Sequence, residues 1–333
     1  MTLKLAINGF GRIGRNVLRA LVESGRDDIE VVAINDLGPV ETNAHLLEFD
    51  SVHGRFPGSI TVSGNTIDAG RGPIRVSAER DPEALDWSDI DIVLECTGLF
   101  TDRDAAARHL KTGARRVLVS APSKGADRTV VYGVNDADLT TRDVVVSNGS
   151  CTTNCLAPVA KVLHETVGIT RGFMTTVHSY TGDQPTLDRM HKDLYRARGA
   201  ALNIIPTTTG AARAVGLVLP ELDGRLDGTA IRVPTPNVSA VDLTFEAARN
   251  TTAEEINAAI TEAARGPLKG VLDITGRELV SSDFNHNPVS AVFATDQTRV
   301  MDGHLGRVLA WYDNEWAFSS RMLDVAAAMG RAG

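Results

Sequence analysis

The chain has 333 residues, a length that exceeds one comfortable hydrophobic core and predicts two domains. Hydrophobic residues make up 43% and charged residues 23%, which excludes the disordered and fibrous classes. The net charge of -8 argues against a nucleic-acid-binding surface, since such domains usually carry a basic excess.

Two further features indicate the compartment. No stretch approaches the ~20 apolar residues that a membrane helix needs, and the first residues enter a strand-like segment with no signal peptide. The three cysteines, Cys96, Cys151 and Cys155, lack the spacing of a zinc finger or a disulfide framework. We therefore expect a cytoplasmic protein with no membrane partner and no metal.

The first half of the chain alternates short β-branched segments with amphipathic ones. Strands are expected at residues 3–8, 31–35, 90–95, 116–120 and 144–147, with a helix at residues 12–24. This α/β alternation predicts a Rossmann-type, doubly wound parallel sheet covered on both faces. Residues 1–150 are expected to form a nucleotide-binding domain.

The pattern changes after residue 148. A helix is expected at residues 152–167 and a strand at 173–177, followed by a long polar stretch from 179 to 203. Later strand-like segments alternate apolar and polar residues, at 229–233, 238–247, 289–294 and 307–312. This predicts an α+β catalytic domain, residues 151–315, with a mostly antiparallel sheet. The C-terminal helix, 316–333, is expected to join the first domain.

A glycine-rich turn follows the first strand. Gly9, Gly11 and Gly14 come in the order that brings backbone amides against a pyrophosphate at a helix N-terminus, although a purely structural turn gives the same pattern. Asp36 follows the second strand, where a carboxylate would accept hydrogen bonds from an adenosine ribose and repel a 2′-phosphate. The alternative for Asp36 is a capping residue. Together these features favour NAD.

Cys151 is predicted to begin a helix, because it lies between a strand and a helical segment. A helix N-terminus lowers a thiol pKa, and a nearby histidine can take the proton. Core packing is the alternative for any cysteine, and it is the interpretation preferred for Cys96 and Cys155. His178 ends a strand and is the best-placed base among eight histidines, unless it is merely structural or solvated.

Several segments together resemble the glyceraldehyde-3-phosphate dehydrogenase family across essentially the whole chain. The segments are INGFGRIGR, SCTTNC, TTVHSYT, IIPTTTGAA, RVPTPNVS and WYDNEW. The resemblance implies that Cys151 attacks an aldehyde, that NAD takes the hydride, and that inorganic phosphate releases an acyl phosphate from the thioester. It implies that His178 activates the thiol and serves proton transfer. A glycolytic or gluconeogenic role follows.

The resemblance also implies the remaining site residues. The residues that would hold NAD are Arg12, Ile13, Asp36, Arg80, Ser120 and Asn314, with Asn314 orienting the nicotinamide carboxamide. One phosphate site would be Thr181, Asp183, Arg196 and Arg232, and the other Ser150, Thr152, Thr209 and Gly210. The polar stretch 179–203 matches a loop that lies against a neighbouring subunit, so a homotetramer is expected.

The sequence departs from the family pattern at several positions. Gly149 replaces a common alanine, Tyr195 a common arginine, and Ala317-Phe318 the usual Gly-Tyr. Arg189-Met190 replaces a Leu-Pro pair of NAD-selective relatives, which makes some NADP use a hypothesis.

Two alternatives to the triose phosphate activity remain. An erythrose-4-phosphate dehydrogenase shares the fold and the Cys-His pair, but its relatives usually lack the Thr-Thr-Gly segment at residues 208–210. A nucleic-acid-binding or interaction protein that reuses the fold is disfavoured by the acidic charge balance.

Overall fold

A computed structural model describes residues 2–332, and the chain divides into two compact units. Unit 1 holds the described residues up to Val130, together with Asp136–Ser150 and the residues from Ser319 onward. Unit 2 holds Val131–Asn135 and Cys151–Phe318. The chain therefore passes from one unit to the other more than once.

Unit 1 is built on a mostly parallel sheet. Its strands, with the separate hairpin β3–β4, are β1 (Leu3–Asn8), β2 (Ile29–Asn35), β3 (Phe49–Asp50), β4 (Gly54–Arg55), β5 (Thr61–Ser63), β6 (Thr66–Asp68), β7 (Pro73–Ser77), β8 (Ile92–Glu95), β9 (Arg116–Val119), β10 (Arg128–Thr129) and β11 (Val145–Ser147). Among the described residues the sheet has nine strands in the order β10-β11-β9-β8-β1-β2-β7-β6-β5. Within this sheet of the described residues, the pairs β5–β6 and β6–β7 are antiparallel and the other pairs are parallel.

The helices of unit 1 explain why its central strands are apolar on both faces. They are α1 (Arg12–Glu23), α2 (Val40–Glu48) and the short α3 (Arg103–Ala106). Helix α1 buries Val17, Leu18 and Leu21 along one side, while β8 is buried at every position. A strand that is covered on both faces needs no polar side, which is the pattern of a doubly wound sheet.

Unit 2 contains a mixed, mostly antiparallel sheet. Its elements are α4 (Cys151–Val167), β12 (Ile169–Ser179), β13 (Ile205–Thr208), α5 (Ala211–Ala214), β14 (Leu226–Val233), β15 (Ser239–Ala247), α6 (Ala253–Arg265), β16 (Leu272–Thr275), β17 (Ala291–Ala294), β18 (Arg299–Met301) and β19 (Leu305–Tyr312). The strand order is β13-β14-β12-β15-β19-β17-β16, and β18 pairs with β19. The pairs β12–β14 and β16–β17 are parallel, and the others are antiparallel.

One hydrophobic cluster holds α4 in unit 2. Leu156 and Leu163 of α4 are buried in it with Ile260 of α6 and with Leu243 and Phe245 of β15. Because such interiors are close-packed, the helix has little freedom to shift. The position of the first residue of α4 is therefore fixed by the core behind it.

The last helix, α7 (Trp316–Arg331), begins in unit 2 and continues in unit 1. In unit 1 the Arg26 Nη1 donates to Asp324 Oδ1 at 2.6 Å, and Arg116 donates to the carbonyl of Met329. The final residues are thus part of the unit that begins the chain.

The fold class predicted from the sequence is confirmed. The main difference is length: β12 extends well beyond the expected strand at residues 173–177, because its two neighbours pair with it along almost its whole span. No helix within residues 2–332 is long and apolar enough to cross a membrane.

Candidate active site

Cys151 is the first residue of α4, as the sequence predicted. Its Sγ lies 3.5 Å from Nε2 of His178, near the end of β12. Cys155, one turn further along α4, is fully buried in the hydrophobic core of unit 2. The structure thus separates a thiol that contacts an imidazole from one that only packs.

The imidazole of His178 is held in one tautomer. Its Nδ1 lies 2.7 Å from the carbonyl oxygen of Ser179, and because a carbonyl only accepts, Nδ1 carries the hydrogen. The unprotonated Nε2 is then the atom next to the thiol. The ring also meets the edge of Tyr312, with centroids 6.0 Å apart and planes at 77°. The pair is preorganised for proton transfer from Sγ to Nε2.

The pKa values describe a neutral pair. Burial raises the pKa of the Cys151 thiol, although the charge of Arg232 and hydrogen bonds with Thr152 act in the opposite direction. Burial, together with the charge of Arg232, lowers the pKa of His178 to about 3. The sequence-based expectation of a lowered thiol pKa is wrong in sign, because burial outweighs the charge of Arg232 and the hydrogen bonds that favour the thiolate. His178 is therefore a free base at neutral pH.

Four of the residues expected to bind phosphate form one hydrogen-bonded cluster in unit 2. Arg232 Nη1 donates to Thr181 Oγ1 at 3.0 Å, and Thr181 donates to Asp183. Arg196 Nη1 donates to Asp183 Oδ2 at 2.8 Å. Two guanidinium groups around one carboxylate leave a net positive charge, which suits an anion.

The charges of this cluster are consistent with an ionised Asp183. Burial raises its pKa, but the hydrogen bond from Thr181 and the charges of Arg232 and Arg196 lower it by more, so the net shift is downward. Among the described residues, Nε of Arg232 is buried without a hydrogen-bond partner. A buried guanidinium nitrogen that lacks an acceptor is a donor available to a ligand.

The second expected phosphate set is less connected. Thr152 is buried, and its hydroxyl is hydrogen-bonded to that of Tyr312 at 2.8 Å. Thr209 and Gly210 precede α5, where the Thr209 hydroxyl accepts from the Ala211 amide at 3.2 Å. Ser150 belongs to unit 1 and is half-buried. The backbone amide of Thr152 lies in the first turn of α4, where amides have no intrahelical acceptor.

Gly149 is suited to its position. Its φ is +65°, in the left-handed region that alanine disfavours. The glycine that replaces the common alanine therefore suits a backbone conformation that this turn requires.

Asn314 is held by residues that the sequence analysis did not single out. Its Oδ1 accepts from Ser179 Oγ at 2.9 Å and from Ser239 Oγ at 2.8 Å. The preceding Asp313 accepts from the amides of residues 315 and 316 and so caps α7. Ser179 and Asp313 lie inside the recognised TTVHSYT and WYDNEW segments, but nothing local marks their roles.

A cavity of ≈ 340 Å³ lies at the carboxyl ends of the unit 1 strands. Gly9, Gly11, Asp36 and Arg80 are among the residues that line it. The other expected cofactor residues of unit 1 do not line this cavity; they are Arg12, Ile13, Gly14 and Ser120. In open α/β sheets, ligands bind outside the carboxyl ends of the strands, so this cavity is the nucleotide candidate.

Backbone geometry fits a nucleotide at this cavity. Gly9 has φ +91°, and a Cβ there would lie 2.7 Å from the backbone nitrogen of Thr97. Asp36 Oδ2 accepts from the Phe10 amide at 2.8 Å, and Oδ1 accepts from the Gly38 amide at 3.0 Å. Each carboxylate oxygen keeps a lone pair for ribose hydroxyls. Arg12, by contrast, forms an ion pair with Asp50.

The sequence analysis preferred core packing for Cys96. In the structure Cys96 is instead half-buried and lines this cavity. Burial raises the pKa of its thiol to about 12. It is therefore an unreactive part of the cavity wall and not a second nucleophile.

A buried polar network that sequence reasoning missed supports the cavity wall. Glu95 accepts from Asn8 Nδ2 at 2.6 Å and from the Thr97 amide at 2.8 Å. Its other buried partner is His109 Nε2 at 2.9 Å, whose ring accepts from Trp87 at Nδ1. Asn8 and Thr97 line the cavity, so the network fixes residues that a cofactor would touch.

The described residues contain no group of histidine, cysteine and carboxylate side chains that could hold a metal ion. Unit 2 brings together a thiol, an imidazole and two guanidinium groups, and unit 1 contains a nucleotide cavity. These features define a nucleotide-dependent oxidoreductase.

Comparison with known proteins identifies the family. The model of the glyceraldehyde 3-phosphate dehydrogenase NAD-binding domain matches residues 3–103, and that of the C-terminal domain matches residues 150–314. The chain is 72% identical over 331 residues to glyceraldehyde-3-phosphate dehydrogenase of Cereibacter sphaeroides, covering 99% of each chain. The corresponding enzymes of Xanthobacter flavus and Geobacillus stearothermophilus are 70% and 56% identical over the whole of both chains. The chain belongs to the glyceraldehyde-3-phosphate dehydrogenase family, and its cofactor is NAD.

Proposed function

We propose that the chain oxidises D-glyceraldehyde 3-phosphate to 1,3-bisphosphoglycerate, with NAD and inorganic phosphate, through a thioester on Cys151. The observation that carries the proposal is the 3.5 Å approach of Cys151 Sγ to the unprotonated Nε2 of His178. Family membership supports the same activity. A glycolytic or gluconeogenic role is the corresponding physiological assignment.

The first step is addition of the thiol to the aldehyde. Sγ attacks the carbonyl carbon while its proton passes to Nε2 of His178, because both groups are neutral at the start. The new imidazolium can return that proton to the carbonyl oxygen, which gives a neutral thiohemiacetal. His178 then acts as base for the hydroxyl proton, which leaves as the carbon is oxidised.

NAD, when bound, supplies the acceptor for the hydride that the thiohemiacetal loses as it becomes a thioester. Gly9, Gly11, Asp36 and Arg80 would hold the nucleotide at the cavity of unit 1. Asn314 would hold the nicotinamide carboxamide. The same proposal assigns NAD binding to four further residues of unit 1, which are Arg12, Ile13, Gly14 and Ser120. Asp36 favours NAD because it would repel a 2′-phosphate.

The last step conserves the oxidation energy. A phosphate oxygen attacks the thioester carbonyl, the C–S bond breaks, and Cys151 leaves as the thiolate that His178 can reprotonate. The acyl phosphate is then released. The cluster of Thr181, Asp183, Arg196 and Arg232 would bind one phosphate, and Ser150, Thr152, Thr209 and Gly210 the other.

The deciding experiment measures NADH formation from glyceraldehyde 3-phosphate with and without inorganic phosphate. Turnover that requires phosphate, and that exceeds turnover of erythrose 4-phosphate, is expected. Equal turnover without phosphate would refute the phosphorylating mechanism. A preference for erythrose 4-phosphate would favour the alternative dehydrogenase.

We also infer that the protein is a homotetramer. Loop 180–204 exposes large apolar side chains, of which Met190 is 94% exposed and Leu194 is 82% exposed, and β12 exposes Phe173. Exposed apolar groups of this size usually mark contact surfaces. Light scattering should give four times the chain mass of 35.5 kDa. A monomeric mass would refute the inference.

Two finer assignments complete the proposal. Cytoplasmic location is supported by the three cysteines, which are all free thiols.

Arg189, in the exposed loop, would support some NADP use by approaching the adenosine 2′-phosphate of a cofactor from the adjacent subunit. Catalytic efficiency with the two cofactors tests this, and no detectable NADP turnover would end the idea.

A further inference from the structure

Two buried serine side chains from separate segments converge on the buried side-chain amide of Asn314. Ser179 and Ser239 both donate their hydroxyl protons to Oδ1 of Asn314, and Ser239 Oγ also accepts from the Ser179 amide at 3.1 Å. All three residues are at most 5% exposed. Within residues 2–332, Nδ2 of Asn314 makes no hydrogen bond, so the donor side of the amide is left for a ligand.

The backbone around this group is constrained as well. Val238, immediately before Ser239, has φ +68°, a left-handed conformation that a β-branched residue rarely adopts. The neighbouring Asn237 donates to Asp313 Oδ2 at 2.8 Å, which ties this segment to the turn that carries Asn314. Strain of this kind persists only where the surroundings over-determine the conformation, and it often accompanies a functional constraint.

We propose that Ser179 and Ser239 are positioning residues that fix the orientation of the Asn314 amide. The terminal torsion of asparagine is broad, and its oxygen and nitrogen ends have nearly the same shape. Two hydroxyl donors on Oδ1 select the rotamer that presents Nδ2 as a donor. This inference rests on the proposed function. In this orientation Nδ2 can donate to the oxygen of a nicotinamide carboxamide, whereas the opposite orientation would place Oδ1 there and offer no donor.

The arrangement allows the hydroxyl of Ser179 to be tested apart from its carbonyl. The carbonyl accepts from His178 Nδ1 and from Arg232 Nη1, and both contacts survive in Ser179→Ala. Loss of either serine hydroxyl should therefore disturb Asn314 without disturbing the thiol and its base. Alkylation of Cys151 by iodoacetamide in the absence of cofactor measures the latter.

The test compares NAD with ADP-ribose, which lacks the nicotinamide, by calorimetric titration of the full chain. In Ser239→Ala and in Ser179→Ala, the Kd for NAD should rise roughly five- to tenfold. The Kd for ADP-ribose and the alkylation rate should stay within about twofold of the wild-type values. Ser239→Thr, which keeps a hydroxyl, should restore much of the NAD affinity.

A matched control is Ser290→Ala. Ser290 is a buried serine of the same unit whose hydroxyl has no partner among the described residues. Its loss should affect neither ligand. If Ser290→Ala changes NAD binding as Ser239→Ala does, general softening of unit 2 explains the effect and the proposal fails.

Asn314→Ala separates the remaining outcomes. If it weakens NAD selectively and Ser239→Ala adds nothing on top of it, the residues act as one unit and the proposal stands. Selective weakening by Asn314→Ala alone, with normal serine variants, overturns the positioning role. Equal weakening of NAD and ADP-ribose by the serine variants also overturns it. Phosphate-dependent NADH formation decides the proposed function separately.

Discussion

The nucleotide cavity of unit 1 and the thiol site of unit 2 are built in different ways. The cavity depends on main-chain geometry, with Gly9 in a conformation and a space that admit no Cβ. The thiol site depends on side chains, each held by a buried hydrogen bond, as His178 is by Ser179. Binding a nucleotide needs a surface of amides, whereas proton transfer needs individual atoms placed within a fraction of an ångström. Substitutions should therefore affect the two regions differently.

The largest effect is expected from Cys151→Ser. Turnover should fall by at least about 10³-fold, because the hydroxyl is a far weaker nucleophile than the thiol, while NAD binding stays largely intact. Steady-state NADH formation and calorimetric titration measure the two quantities. Cys155→Ala, which removes a buried thiol, should keep acyl transfer. Retained turnover in Cys151→Ser would mean that the nucleophile is misassigned.

His178→Asn should have the next largest effect. Without the neutral base beside Sγ, turnover should fall about 10²-fold or more, and alkylation of Cys151 near neutral pH should slow. The alkylation rate with iodoacetamide is the direct measurement. His304→Asn changes an exposed histidine of the same unit and serves as the control. An unchanged alkylation rate would count against the thiol–imidazole pair.

Arg232→Ala tests the anion cluster. Removal of a charge-assisted contact should lower kcat/KM for glyceraldehyde 3-phosphate by roughly 10- to 100-fold, mainly through KM. Kinetics at saturating NAD give the split between kcat and KM. Arg249→Ala, which removes an exposed arginine paired with Glu255, should leave KM unchanged. A general loss of folded protein without a selective KM change would assign Arg232 a structural role.

Gly9→Ala and Gly11→Ala test how far the cavity of unit 1 depends on main-chain geometry. At Gly9 a Cβ would meet backbone, whereas at Gly11 there is nothing within 4 Å. Gly9→Ala should destabilise the protein by about 1–3 kcal/mol, and Gly11→Ala should not. Urea unfolding of the two variants measures this. Equal stability would show that the backbone constraint at Gly9 is overstated.

The smallest expected effect is on the pH dependence of stability. The folded-state pKa of His178 is about 3, against an ordinary value of 6.5. Below pH 6.5 the unfolded chain binds a proton that the folded chain does not, so the wild type loses stability as the pH falls. His178→Gln lacks this term, and between pH 7 and 5.5 it should lose about 1 kcal/mol less than the wild type. The urea midpoints of both proteins at the two pH values measure this difference. If the wild type and His178→Gln lose the same stability between pH 7 and 5.5, the low pKa of His178 is contradicted.

The same contrast explains what the sequence could predict. A glycine turn after a strand, a carboxylate after the next strand and a cysteine at a helix start are local features, and the structure has Gly9, Asp36 and Cys151 in those positions. The contact of Cys151 with His178 depends on packing between α4 and β12, and no spacing encodes it. Burial depends on tertiary packing too, which is why the direction of the thiol pKa shift was missed.

The group around Asn314 shows most clearly which contacts cannot be predicted from the sequence. Ser179 lies 60 residues from Ser239 and 135 residues from Asn314 along the chain. The three residues meet only because β12, β15 and β19 pair in one register. A slip of one residue would turn Ser239 to the other face of the sheet. The motifs that contain these residues were recognised, but the hydrogen bonds that connect them follow from the sheet.

The return of α7 to unit 1 bears on how the protein is made. Residues from Ser319 onward are synthesised after unit 2, yet they include Asp324 and Met329, which accept hydrogen bonds from Arg26 and Arg116 of unit 1. Domains generally fold as units during translation, N-terminal first. Unit 1 therefore lacks a whole helical segment until the residues from Ser319 onward have been translated, so unit 2 is the first of the two units whose sequence is completely available. A fragment that ends after residue 150 would be an unfinished Rossmann domain.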